Sequence, residues 1–288
     1  MTNVSPLPLI SLATGDPSGI SPELTVRLIA DETVARHCRL LIVGDRRVLD
    51  LGSAHVGSTV QPKPWQLADP TNDAGHRLLD LGHGDPEDFE LGKVSLAGGQ
   101  FALRNFMTAL DLAREGTVDA VTFTPFNKQA MRLARPGYDD EVAVTTEMLQ
   151  ATSDGREFNI LDNLWNARVT SHIALKDVSS HLSVETIVRA ATLADTELRA
   201  VFRQPRLAVA GLNPHAGDGG AFGREEIDII EPAIAQMQAN GINATGPLPA
   251  DTVFVRAKAR EFDAVLTMYH DQGQIAMKLS LIHISEPT

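Results

Sequence analysis

Short apolar runs separated by longer amphipathic stretches recur along this chain, and that alternation limits the folds open to it. Leu7–Ala13, Arg39–Gly44 and Asp119–Pro125 read as strands, while 99–115 carries Leu103, Phe106, Leu110 and Ala113 at helical spacing. Strands alternating with helices of this length favour a largely parallel sheet wrapped by helices, so the expected fold class is α/β. With 288 residues, 43% of them hydrophobic, the chain can build one large core or two smaller ones.

Local signals place further elements. A helix opens at Pro22-Glu23, with proline in the first turn and an acid beside it. Ser183 reads as the cap of a helix over 183–202, with Thr186 at its third position. Other helices are expected over 127–134, 225–240 and 252–261. Between Leu51 and Lys93 the many Gly, Pro and Asp residues point to irregular structure with short edge strands. Strand, turn and helix change quickly near Pro125–Gln129, which places a first lobe at 1–127 and a second at 128–278.

Charge and cysteine content narrow the function classes. A formal net charge of -12 and a pI near 5.1 lack the clustered Lys and Arg of a nucleic-acid footprint. Cys38 is the single cysteine, so there is no disulfide framework and a reducing compartment is expected. No apolar run approaches the roughly 20 residues of a membrane span. Residues 1–8 show no basic stretch leading into an apolar one, so no signal peptide is expected. The expectation is a cytoplasmic protein with no membrane or nucleic-acid partner.

Three histidines each close an apolar, strand-like run: His172 after Ala167, His215 after Arg206-Leu-Ala-Val-Ala, and His270 after Asp263-Ala-Val-Leu. Ligands in open α/β sheets bind at the carboxyl ends of strands, where residues from different strands converge. Three neutral imidazoles there would suit a divalent metal with an open position, zinc being a natural candidate. The wide spacing is not specific, and a satisfied core or loop histidine is the commoner outcome for any one of them. Their neighbours say more. His215 lies in the glycine-rich Gly211-Leu-Asn-Pro-His-Ala-Gly-Asp-Gly-Gly220, ahead of a helix start at Gly223-Arg-Glu-Glu. His270 sits beside Asp271, Gln272 and Gly273, and a carboxylate next to a ligand histidine can fix its tautomer.

The loop Gly15-Asp-Pro-Ser-Gly19 precedes a helix N-terminus, where backbone N–H groups could hold a phosphate or carboxylate. It lacks the Gly-Lys-Ser/Thr ending of a P-loop, and no Gly-x-Gly-x-x-Gly follows the first strand, so a standard Rossmann site is unsupported. Cys38 has no base nearby in sequence and reads as a structural thiol.

Taken in order, Thr14-Gly-Asp-Pro-Ser-Gly-Ile-Ser-Pro-Glu23, the His215 motif, Gly246-Pro-Leu-Pro-Ala-Asp-Thr252 and Met268-Tyr-His-Asp-Gln-Gly273 resemble the 4-hydroxythreonine-4-phosphate dehydrogenases. The resemblance runs from about residue 7 to residue 279. It implies a fold like the isocitrate and isopropylmalate dehydrogenases, with two α/β/α lobes, a cleft between them, and a homodimer that shares its active site. It also implies NAD as cofactor (NADP being the alternative) bound without the Rossmann fingerprint. By motif, His172, His215 and His270 correspond to three metal ligands, one of them given by the partner subunit. The metal expected there is zinc, with magnesium or cobalt as alternatives. Lys278 matches a substrate-contacting lysine, and Asp251 and Asp271 sit in motifs close to substrate or metal. The implied reaction oxidises the 3-hydroxyl of a phosphorylated hydroxy acid and then decarboxylates it, in pyridoxal phosphate biosynthesis.

Two departures stand out. The family's Gly-His-Thr-Glu segment corresponds here to Gly137-Tyr-Asp-Asp-Glu-Val, whose carboxylates would repel a phosphorylated substrate at close range. That leaves other hydroxy acids in view, namely 4-phosphothreonate, 4-phosphoerythronate or cis-dihydrodiol dicarboxylates. Second, Leu279-Ser-Leu-Ile-His-Ile-Ser-Glu-Pro-Thr288 does not resemble the glycine- and threonine-rich segment the family carries beyond the lysine. Residues 279–288 are expected to be a non-native tail, which would leave a truncated, inactive ligand-binding protein as a third reading.

Overall fold

The computed structural model describes residues 7–59, 62–65, 75–151, 157–161 and 164–285, giving only the backbone for 280–285. Contacts divide it into two compact units, Met1–Arg156 and Glu157–Thr288.

In the first unit the elements run β1 (Leu9–Ala13), α1 (Ser21–Ala30), α2 (Glu32–His37), β2 (Arg39–Gly44), α3 (Arg46–Val56), β3 (Lys63–Pro64) and β4 (Arg77–Asp80). They continue with α4 (Leu96–Arg114), β5 (Ala120–Phe123), α5 (Lys128–Ala134) and α6 (Glu141–Met148). The described strands form a parallel sheet in the order β3-β4-β2-β1-β5. Both faces of β1 and β2 are covered. Leu12, Leu40 and Ile42 pack with Val26 and Leu49 of the flanking helices. Leu41 and Val43 pack with Phe106, Ala109 and Leu110 of α4 on the other side.

The second unit runs β6 (Asn159–Leu161), β7 (Leu164–Arg168), α7 (Val178–His181), α8 (Val184–Val201) and β8 (Leu207–Ala210), then a π-helix (Glu226–Ile230). It ends with α9 (Glu231–Ala239), β9 (Ala244–Leu248), α10 (Ala250–Lys258), β10 (Ala264–Thr267) and α11 (His270–Ser285). Its sheet has the order β6-β7-β10-β8-β9, parallel except for the β6–β7 pair. The α8–α9 face closes one side through Ile187, Ala191, Leu198, Ile234 and Met237. The cap read at Ser183 is present, completed by Thr186 into a reciprocal capping box, and a cap of this kind contributes about 1 kcal/mol.

Several expectations shift. The division falls after Arg156 rather than at 127, because α5 and α6 pack on α4: a Cβ at Gly99 would fall on the backbone of Ala130, and Val144 joins the same core as Phe106. The region read as irregular from Leu51 is helical to Val56, with Asp45 as cap and Gly57 (φ 64°) as the left-handed stop. The segment expected as a tail continues the backbone of α11 to Ser285, and 286–288 lie outside the described residues. Residues 1–6, read for a leader, lie outside them too. Among the described residues, no helix is long and apolar enough to cross a membrane.

Candidate functional site

β7, β10 and β8 are consecutive neighbours in the second sheet and all run parallel. The three histidines follow these strands at their carboxyl ends, which brings the residues picked out by motif to one edge of one sheet. Side-chain and backbone hydrogen bonds staple the three ends together. Thr170 donates through its backbone N and its Oγ1 to the Met268 carbonyl, at 3.1 and 2.8 Å. Gln272 accepts from the Met268 N through Oε1 and donates through Nε2 to the Gly211 carbonyl, both at 2.7 Å. Gln272 therefore ties the end of β10 to the end of β8, and Thr170 ties β7 to β10. Close packing completes the joint: a Cβ on Gly273 would fall on the side chain of buried Asn166, so the first turn of α11 lies directly against β7.

His172 and His270 are brought together, with ring centroids 5.4 Å apart and planes inclined by 45°. His270 is half-buried, and its Nδ1 lies 2.7 Å from Asp271 Oδ1. With that nitrogen donating to the carboxylate, Nε2 keeps the lone pair and is the nitrogen free to bind a cation. His215 stands exposed beyond β8, its ring centroid 6.2 Å from that of Phe222. Among the described residues of the single chain, no three His, Cys, Asp or Glu side chains are gathered closely enough to hold a metal ion. The single chain thus pairs two of the imidazoles and leaves the third apart.

The backbone around His215 is unusual. From His215 to Gly219 every residue has a positive φ, between 45° and 82°, including the non-glycine residues His215, Ala216 and Asp218. Left-handed backbone costs an L-residue about 1–2 kcal/mol, so the surroundings must hold this path in place. The support includes Glu226, buried at 1% exposure, which accepts from Leu212 N and Asn213 N at 2.7 Å each. Neither Glu226 nor Gln272 stood out in the sequence as more than part of a motif. What sequence signal existed lay in the crowding of acid, amide and glycine around each histidine.

The other predicted residues are placed less tightly. Asp251 is exposed in the first turn of α10, where an acid favours the helix N-terminus. Lys278 is exposed on α11, two turns or about 12 Å along the axis from His270.

In the first unit the loop Gly15–Gly19 is tied into the protein ahead of α1. The loop's N–H groups are already engaged: Gly15 with Thr124 Oγ1 (2.8 Å), Asp16 with the Pro125 carbonyl (3.0 Å), Ser18 with Asp16 Oδ1 (2.9 Å) and Gly19 with the Asp16 carbonyl (3.2 Å). Burial pushes the Asp16 carboxyl above its ordinary value. The Gly137–Glu141 departure also has a structural role. Tyr138 is buried in the core and donates through its hydroxyl to Glu141 Oε1 at 2.8 Å; burial, with Glu141 beside it, raises its pKa. Asp140 caps α6 by accepting from Ala143 N at 2.8 Å.

Comparison with known proteins decides the family. The model for the pyridoxal phosphate biosynthetic protein PdxA matches residues 36–284. The chain belongs to the PdxA family. A putative 4-hydroxythreonine-4-phosphate dehydrogenase 2 from Rhizobium meliloti (strain 1021) is 56% identical over 275 residues, covering 94% of this chain and 79% of the relative. A putative D-threonate 4-phosphate dehydrogenase from Symbiobacterium thermophilum is 37% identical, covering 94% and 82%. Among solved structures, a 4-hydroxythreonine-4-phosphate dehydrogenase from Burkholderia phymatum superposes with a TM-score of 0.83 at 30% identity, covering 98% of this chain and 85% of that one. Dehydrogenases of the PdxA family therefore share this chain's fold and most of its length.

Proposed function

We propose that this PdxA-family chain is a metal- and NAD-dependent dehydrogenase that oxidises the 3-hydroxyl of 4-hydroxythreonine 4-phosphate, with decarboxylation of the β-keto acid that results. Its likeness to the Rhizobium meliloti and Burkholderia phymatum proteins supports the substrate class. The observation that carries the metal reading is the His172–His270 pair at the ends of adjacent strands, with Asp271 on the Nδ1 of His270. That donor set suits zinc or cobalt, for which a neutral imidazole with a fixed tautomer is a ready ligand, better than magnesium, which prefers oxygen ligands. His215 is the third ligand in this reading. Because one chain does not gather all three, a homodimer that completes the site across its interface is part of the proposal.

When bound, the cation would supply Lewis-acid stabilisation of charge on the substrate oxygens, and NAD would supply the hydride acceptor. The chain's own groups do the rest. Asp271 holds the His270 ring and its tautomer. Gln272 and Thr170 keep the three strand ends in register, so the imidazoles are set before substrate arrives. The Lys278 ammonium offers a positive charge to an anionic substrate, and Asp251 lies at a helix start in a motif next to substrate. For NAD the support is family membership. The reading places the protein in the cytoplasm.

A second reading keeps the chemistry and changes the substrate to D-threonate 4-phosphate, on the likeness to the Symbiobacterium thermophilum relative. NAD reduction followed at 340 nm, with zinc, magnesium or cobalt added, separates the two. Faster turnover of 4-hydroxythreonine 4-phosphate is expected. Preference for D-threonate 4-phosphate or a dihydrodiol acid overturns the substrate, and no turnover of any of them overturns the activity.

A further inference from the structure

The loop that carries His215 is held from beneath by the buried carboxylate of Glu226, with Glu225 Oε2 also accepting from Asn213 Nδ2 at 2.7 Å. Glu226 accepts through Oε1 from the backbone N–H groups of Leu212 and Asn213, and through Oε2 from Asn213 Nδ2 at 2.9 Å. These donors lie two and three residues before His215, where the chain leaves β8 and enters its left-handed path. The fit is close on two further sides. A Cβ at Gly217 would come within 2.7 Å of Glu226 Oε2, and one at Gly211 within 3.1 Å of Oε1. Glycine on both sides of His215 lets the loop close down on this carboxylate. Glu226 opens the π-helix Glu226–Ile230, and such widened turns recur where a side chain must be re-aimed at a functional site.

We propose that Glu226 is a positioning residue: it fixes the loop so that the His215 imidazole stands ready at the end of β8 to bind the metal. The inference rests on the metal reading given above. A buried carboxylate with three N–H partners tolerates little change in shape, so its effect reaches His215 through the backbone of Asn213 and not through contact with the cation.

The test is a titration of the metal-free protein with cobalt chloride, followed by calorimetry, for the wild type, Glu226→Gln, Glu226→Ala and His215→Ala. The thermal midpoint of each metal-free protein is measured alongside. Glu226→Gln keeps the shape and the Oε1 acceptor but turns an amide toward Asn213 Nδ2. It is expected to weaken cobalt binding about tenfold or more while remaining folded, which is the range seen when an outer partner of a metal ligand is lost. At saturating cobalt its kcat should return to within about twofold of the wild type, because the reacting groups are intact. Wild-type cobalt affinity in both Glu226 variants, with only a lowered thermal midpoint, overturns the positioning role. If Glu226→Ala does not fold, Glu226→Gln decides alone. Wild-type affinity in His215→Ala overturns the metal reading itself, which separates that failure from the failure of the Glu226 role.

Discussion

Two glycine-rich loops, each following a strand at the carboxyl edge of its own sheet, use a buried carboxylate in opposite ways. After β1, Asp16 is 8% exposed and turns the loop inward: its own carboxylate and carbonyl receive the N–H groups of Ser18 and Gly19. After β8, Glu226 comes from a later element and receives N–H groups from the loop, leaving His215 exposed in left-handed backbone. The first arrangement makes a closed joint between strand and helix. The second holds a side chain out toward solvent. The first loop has its N–H groups taken by Asp16 itself, Thr124 and Pro125, whereas the second, tied down from below, presents an imidazole.

Substitutions at the glycines break the comparison most sharply. At Gly15 a Cβ would fall on the carbonyl oxygens of Thr124 and Pro125, which are backbone atoms with nowhere to move. Gly15→Ala is expected to cost about 3 kcal/mol, at the upper end for overpacking, read as a lowered denaturation midpoint. In the second loop Gly219 (φ 62°) faces open space, while Gly217 (φ 82°) lies against Glu226. Gly219→Ala should cost about 1–2 kcal/mol from backbone strain alone, and Gly217→Ala more. Equal effects in urea unfolding would contradict the close seat of Glu226 under the loop.

The smallest effect concerns pH. Burial raises the Asp16 pKa, so the folded state holds the proton more tightly than the unfolded one. The stability this contributes is present below the ordinary value of 3.8 and is lost as pH rises through the folded-state value. Asp16→Asn should remove that part of the pH slope of the unfolding free energy. An unchanged slope would show that Asp16 does not titrate in this way.

How much of this was legible in the sequence follows from the physics of each signal. Ser183 and Thr186 announced their helix because a capping box is local. Arg39–Gly44 announced its strand because a buried parallel strand is a continuous apolar run. α3 was not legible: Gly52, Ser53 and His55 interrupt its apolar pattern, and Gly52 is required by the close approach of Pro22. The Gly137–Asp140 segment looked like a substrate-facing acidic turn. Tyr138 is instead a core residue, a role that depends on packing with α4 and leaves no trace in spacing, while Asp140 is the local cap of α6. For the histidines, motif gave their identity, but only strand order put their three strands side by side. Glu226 and Gln272 act across 13–14 and 61 residues of chain, beyond what a local pattern carries.

The central claim is that His172, His215 and His270 make one metal site. Titrating the metal-free protein and its three single alanine variants with cobalt, and following the visible absorption of the bound ion, tests it most directly. The account predicts one ion per site in the wild type, with a spectrum and an affinity that each of the three substitutions degrades. A variant at any one of these positions that binds cobalt with the wild-type spectrum and affinity would contradict it.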